Sequence, residues 1–167
     1  MTTPLHYKTI TELSGLIKNR EISPVEVTEA QLARIEAHDG KLKSYATVMA
    51  DQAMAEAREA EAEIAEGKYR GPLHGVPVAV KDLCYTTGIR TMGGLAVLEN
   101  HVPDFDATVV TRFKEAGAVM LGKLNLTEGA MAGYNPKGQV PQNPWREDHW
   151  PGASSSGSGA ATSAGLA

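Results

Sequence analysis

Two segments of this chain carry side chains that could do chemistry together. Gly75-Val-Pro-Val-Ala-Val-Lys81-Asp82 is an apolar run that ends on a lysine. Pro151-Gly-Ala-Ser-Ser-Ser-Gly-Ser158 sets Ser154, Ser155, Ser156 and Ser158 among glycines, just before a small-residue helix. A lysine at the end of a buried strand and a serine loop entering a helix make half of a Ser-Ser-Lys hydrolase site, the base and the proton relay. Burial favours the neutral amine. A free lysine titrates at about 10.4, so acting as a base at pH 7 needs a fall of about 3, roughly 4 kcal/mol. The plainer reading of Lys81 is a strand-end lysine that reaches water or pairs with Asp82.

The serine loop also has several readings. Its glycines let the backbone take positive φ and approach a ligand closely. The helix start offers unpaired N–H groups and a field that favours negative charge. It reads as a serine cap on a flexible loop, as an anion cradle, or as a relay serine beside a catalytic lysine. No lysine follows in P-loop spacing, so nucleotide binding is poorly supported. Cys84, three residues beyond Lys81, reads as a buried, inert thiol or, less commonly, as the nucleophile of a Cys-Glu-Lys site. The five histidines, His6, His38, His74, His101 and His149, show no metal-type spacing, so no metal is expected from them. His74 reads as a hydrogen-bonded structural residue.

These groups must be positioned by a chain of 167 residues, one domain or a piece of a larger one. Hydrophobic content of 42% and charged content of 22% are those of a soluble globular protein. A net charge of −4 with no basic cluster argues against nucleic acid as a partner. A single cysteine permits no internal disulfide, which makes a reducing cytoplasm the expected compartment. The N-terminus lacks the basic and apolar regions of a signal peptide, and no apolar run has membrane-spanning length.

Residues 1–70 read as helical. Thr9-Ile-Thr-Glu12 and Ser23-Pro24-Val25-Glu26 are capping boxes, the second with proline at the first helical position. Ile10, Leu13 and Ile17 follow the first at helical spacing, and Val25, Thr28, Leu32 and Ile35 follow the second as far as Asp39-Gly40. A third helix spans about Asp51 to Glu66, with Gly67 as its stop. Residues 71–167 read as the start of an α/β core. Val76–Val80 is a buried strand, Asp106 caps a helix over Thr108–Glu115, and Ala118–Leu121 is a second strand. Strand, helix, strand predicts parallel pairing with a right-handed crossover. A short helix is expected from Asn125 to Ala132. The proline-rich stretch Tyr134–Pro151 reads as loop. Ser158–Ala167 reads as a helix with one close-packing face and no C-terminal stop, hence as a truncated element.

Together these pieces resemble the amidase signature family. Gly75–Leu83 looks like its lysine motif, and Gly122-Lys-Leu-Asn-Leu-Thr-Glu128 is similar to its middle motif. Asn143-Pro144-Trp145 matches the loop that follows, and Pro151–Ser158 the start of the signature itself. Ala153 and Ser156 stand where glycine is frequent. The conjunction of lysine motif and serine loop in this order is highly specific, and the resemblance covers essentially the whole chain. It implies an α/β/α sandwich with a mixed β-sheet, of which residues 1–167 are the N-terminal portion of a single domain.

It also implies hydrolysis of an amide C–N bond by a Ser-cisSer-Lys triad, with a small-molecule amide as substrate and no cofactor. Lys81 matches the lysine base. Ser154 matches the bridging serine, whose preceding peptide is cis in the family at a cost of about 3 to 4 kcal/mol. Gly129, Ala130 and Met131 match a stretch near the acyl pocket, and with Ser155 of the serine loop they are the substrate-binding residues the resemblance implies. The nucleophile and the oxyanion loop would lie beyond Ala167, so this segment alone is expected to be inactive. The assemblies implied are a homodimer, or a tRNA-dependent amidotransferase in which this chain belongs to the glutaminase and works with partner subunits. A non-catalytic module using the serine loop as an anion site is the reading of another class.

Overall fold

The computed structural model describes residues 3–131 and 133–167. The two capping boxes start the first two helices. Thr9 Oγ1 accepts from Glu12 N at 3.2 Å while Glu12 accepts from Thr9 N at 2.7 Å, opening α1 (Ile10–Lys18). Ser23 and Glu26 make the same exchange at the start of α2 (Pro24–Leu42). The expected stop at Asp39-Gly40 comes slightly early. The helix runs to Leu42, and Lys43 turns left-handed at φ 52°. Asp39 then turns the chain out of the helix, its carboxylate accepting from Ser44 N and Oγ and from Tyr45 N.

That turn delivers a strand the sequence reading omits, β1 (Tyr45–Val48), followed by α3 (Ala50–Ala65). Gly67, at φ 85°, ends α3 as expected. β2 (Pro77–Lys81), α4 (Thr108–Glu115) and β3 (Val119–Leu124) form the anticipated βαβ unit. β3 runs three residues further than Leu121 and is buried throughout. Among the described residues the sheet has the order β1-β3-β2, with β2 parallel and β1 antiparallel to β3, so it is mixed.

Helices cover both sheet faces. Ile35, Ala53, Ala57, Val119, Leu121, Leu124 and Ala161 pack on one side, under α2, α3 and α5 (Ser156–Ala164). Val80, Met120 and Val110 pack on the other, under α4. Two terminus expectations fail. Asp106 does not cap α4, whose N-cap is Ala107 without a side-chain bond; its carboxylate instead joins Thr87 N at 2.7 Å to Lys114 Nζ at 2.5 Å. α5 starts earlier than Ser158 and does have a C-terminal stop. Gly165 is left-handed at φ 68°, and Leu166 N donates to Ala161 O at 2.8 Å, a Schellman closure. The helix expected over Asn125–Ala132 reduces to one turn, Glu128–Ala130, with Gly129 and Ala130 both left-handed. Its last position, Ala132, lies outside the described residues.

Candidate active site

Parallel pairing aligns Val80 with Lys123 and Lys81 with Leu124. Side chains alternate along a strand, so Lys81 shares the α5 face with Leu124, while Lys123 joins Val80 on the α4 face. At the C-terminal end of β2, Lys81 Nζ lies 2.8 Å from Ser154 Oγ and 3.0 Å from Ser155 Oγ. Lys81 and Ser154 are half-buried and Ser155 is exposed. Residues 73 apart in sequence thus meet where ligands gather in open α/β sheets.

The serine loop is held by backbone. Gly157 N donates to Asn125 O at 3.0 Å, and Thr127 N makes a long 3.4 Å contact to Ser154 O. Asn125 in turn donates its side-chain amide to Lys43 O at 2.8 Å and Tyr45 O at 3.0 Å, tying the end of β3 to the start of β1. Since Gly157 N is engaged, the first turn of α5 does not offer that donor to an anion, which weakens the cradle reading. The cis peptide implied at Ser154 is not present; every peptide bond among the described residues is trans. Ala153 and Ser155, on either side of Ser154, are exposed.

Asp82 does not pair with Lys81. It is buried on the opposite face, accepts from Met92 N at 3.1 Å, and lies 3.5 Å from Lys123 Nζ. Lys123, to which sequence reasoning gave no chemistry, is fully buried and donates to Thr91 Oγ1 at 2.6 Å and Cys84 O at 2.7 Å. Burial pushes the Asp82 carboxyl up, against the Met92 N–H and the Lys123 charge. Burial pulls the Lys123 amine down, against Asp82. No sequence signal marked Lys123, because the strand was expected to end at Leu121 and the structure carries the buried run on to Leu124.

Cys84 is half-buried and unpaired, and burial raises its thiol, the opposite of what a nucleophile needs. Gly129 N donates to Gly93 O at 2.9 Å, and Thr127 Oγ1 to Met131 O at 3.3 Å, which fixes the 127–131 turn beside the serine loop. Within that turn Gly129 and Met131 are exposed and Ala130 is half-buried. A cavity of about 260 Å³, lined by Asp82, Arg90, Gly94, Asn125 and Leu126 among others, lies alongside. Among the described residues no cluster of His, Cys, Asp and Glu side chains could hold a metal, and no helix is long and apolar enough to cross a membrane.

A model of the family described as Amidase matches residues 26–167. The chain is 53% identical over 157 residues to the putative amidase AmiD of Mycobacterium tuberculosis, covering 94% of this chain and 33% of that protein. It is 48% identical over 165 residues to one component of the glutamyl-tRNA(Gln) amidotransferase of Moorella thermoacetica, covering 98% of this chain and 34% of the relative. Among solved structures, the native peptide amidase from Stenotrophomonas maltophilia superposes with a TM-score of 0.91 at 36% identity, covering 98% of this chain and 35% of that one. The chain therefore spans about a third of the length of the curated relatives it matches.

Proposed function

The chain belongs to the amidase family, and from that premise we propose that it forms the N-terminal third of a hydrolase for carboxylic amides, acting on a small-molecule substrate. The observation that carries this reading is the convergence of the Ser154 and Ser155 hydroxyls on the Lys81 amine, at 2.8 and 3.0 Å. A neutral amine has two N–H donors and one lone pair. It can therefore accept the Ser154 proton while donating to Ser155.

In the proposed reaction Lys81 takes the Ser154 proton as Ser154 takes one from a nucleophilic serine further along the protein. That serine attacks the amide carbonyl, and backbone N–H groups hold the oxyanion. The C–N bond breaks as the proton returns to the leaving nitrogen, and water hydrolyses the acyl-enzyme. Gly129, Ala130 and Met131 border the acyl side, and the reducing cytoplasm is its proposed compartment.

Relatives named as amidotransferase components support a second reading, a glutaminase working with partner chains. Glutamine-dependent ammonia release and copurifying subunits would favour it; turnover of simple amides by the protein alone favours the first. The test of both is Lys81→Ala in the full-length protein. Acyl-enzyme formation is expected to fall by about 100- to 10,000-fold with the fold intact. Normal turnover by a folded Lys81→Ala protein would refute the assignment.

A further inference from the structure

Behind the site, on the far face of the sheet, lies a group of polar contacts that the proposed reaction does not use. Lys123 is wholly enclosed; it donates to Cys84 O at 2.7 Å and Thr91 Oγ1 at 2.6 Å and forms an ion pair with Asp82 Oδ1 at 3.5 Å, and all three partners belong to the segment that follows Lys81. That segment, residues 82–93, has little regular structure of its own beyond the bridge between Thr86 and Ile89. Asp82 is held from several directions. Its N–H donates to Leu124 O at 2.8 Å, its carbonyl accepts from Gly93 N at 2.9 Å, and its carboxylate accepts from Met92 N at 3.1 Å. The linkage continues, since Gly93 O accepts from Gly129 N, and Thr127 N reaches Ser154 O.

A buried ion pair is a poor way to gain stability, because well-packed apolar residues usually do as well or better. Its use lies in specifying geometry. Here the geometry specified is that of the peptide next to Lys81, on one side, and of the 127–129 turn next to Ser154, on the other. An error of about 1 Å between reacting groups costs about 100-fold in rate.

We propose that Lys123 and Asp82 are positioning residues, a clamp on the far face of the sheet that fixes Lys81 in register with Ser154. This rests on the amide-hydrolase reading for its kinetic consequence, but not for its structural one. The test uses the full-length protein carrying Asp82→Asn together with Lys123→Met, which leaves no unpaired buried charge. A milder variant, Thr91→Val, removes one acceptor of Lys123 and keeps both charges.

The double variant is expected to melt cooperatively, to lose about 100-fold in kcat with KM little changed, and to exchange the Met92, Gly93 and Gly129 amides about tenfold faster. Exchange in the Val119–Leu121 core should stay as it was. Thr91→Val should move the same readouts in the same direction, so the proposal stays testable if the double variant does not fold. Wild-type kcat, or unchanged exchange at those three amides, in a folded variant overturns the clamp. Lys81→Ala separates the two ideas, because it should abolish turnover without altering exchange at Met92, Gly93 or Gly129. If the unmodified protein or Lys81→Ala shows that no amide hydrolysis depends on Lys81, the hydrolase reading fails, and the exchange rates alone decide the clamp.

Discussion

Ser154 and Ser155 both bond the same amine, yet their surroundings differ in a way that substitution can read. Ser154 is half-buried and 2.8 Å from Lys81 Nζ, while Ser155 is exposed at 3.0 Å. A relay hydroxyl must accept from one partner and donate to another, so Ser154→Ala in the full-length protein should lower kcat by about 100-fold or more. Ser155→Ala should cost less; a larger loss there would show the relay to be Ser155. A second residue-scale prediction concerns His74. Its ring is wholly buried, and Nδ1 accepts from Arg70 N at 3.1 Å, so a doubly protonated ring would set one donor against another. Burial holds its pKa below the usual histidine value, despite Glu63 3.1 Å from Nε2 and with Arg70 acting in the same direction as burial.

The unfolded chain therefore takes up that proton first as pH falls. The stability His74 preserves is present above about pH 6.5 and is lost as pH drops from there towards the folded value. Denaturant midpoints should fall between about pH 7.5 and 5.5, and His74→Gln should flatten that dependence. Glu63, held low by its bond to Arg70 and by the nearby His74, loses its contribution only below about pH 4.5, so the two windows separate.

At the scale of elements, the small-residue face of α5 meets backbone directly. A Cβ on Gly157 would overlap the Asn125 N and O and the Ser44 O, none of which can swing aside. Gly157→Ala should destabilise by about 1 to 3 kcal/mol, seen as a lower melting temperature, and should displace Ser154. Close packing of this helix was legible from its Gly and Ala spacing, as were α1 and α2 from their capping boxes. In each case the signal lies within a few residues of its effect. β1 was not legible, since Tyr45-Ala-Thr-Val48 is four residues long and its partner, β3, lies some 75 residues away, held partly by Arg90 donating to Ala46 O at 2.7 Å. The Lys81–Ser154 meeting was readable because each half has a distinctive local pattern. The Lys123–Asp82 clamp was not, because a lysine in a short motif reads as solvated until the strand around it is known to be buried on both faces. Gly165 was passed over as a stop for a related reason. Its left-handed turn is recognisable only with Leu166 folded back against Ala161.

The whole molecule sets what residues 1–167 do by themselves. In the described sheet only β3 is paired on both sides, leaving β1 and β2 as edges. Val97, Val102, Phe105, Met131, Trp145 and Trp150 expose large apolar surfaces, the kind of surface that drives association. The proposed reaction also needs a nucleophile and an oxyanion loop from a longer protein, and these supply most of the barrier reduction in acyl transfer. A base and a relay without them have nothing to deprotonate. Residues 1–167 expressed alone should therefore turn over no amide, should give no stoichiometric adduct with a serine-directed fluorophosphonate by intact mass, and should sediment as more than a monomer. Full labelling of Ser154, Ser155, Ser156 or Ser158 together with amide turnover would place the nucleophile inside this segment and undo the relay assignment. A stable, unlabelled monomer would leave the chemistry standing and show that the edges of β1 and β2 are tolerated without further cover.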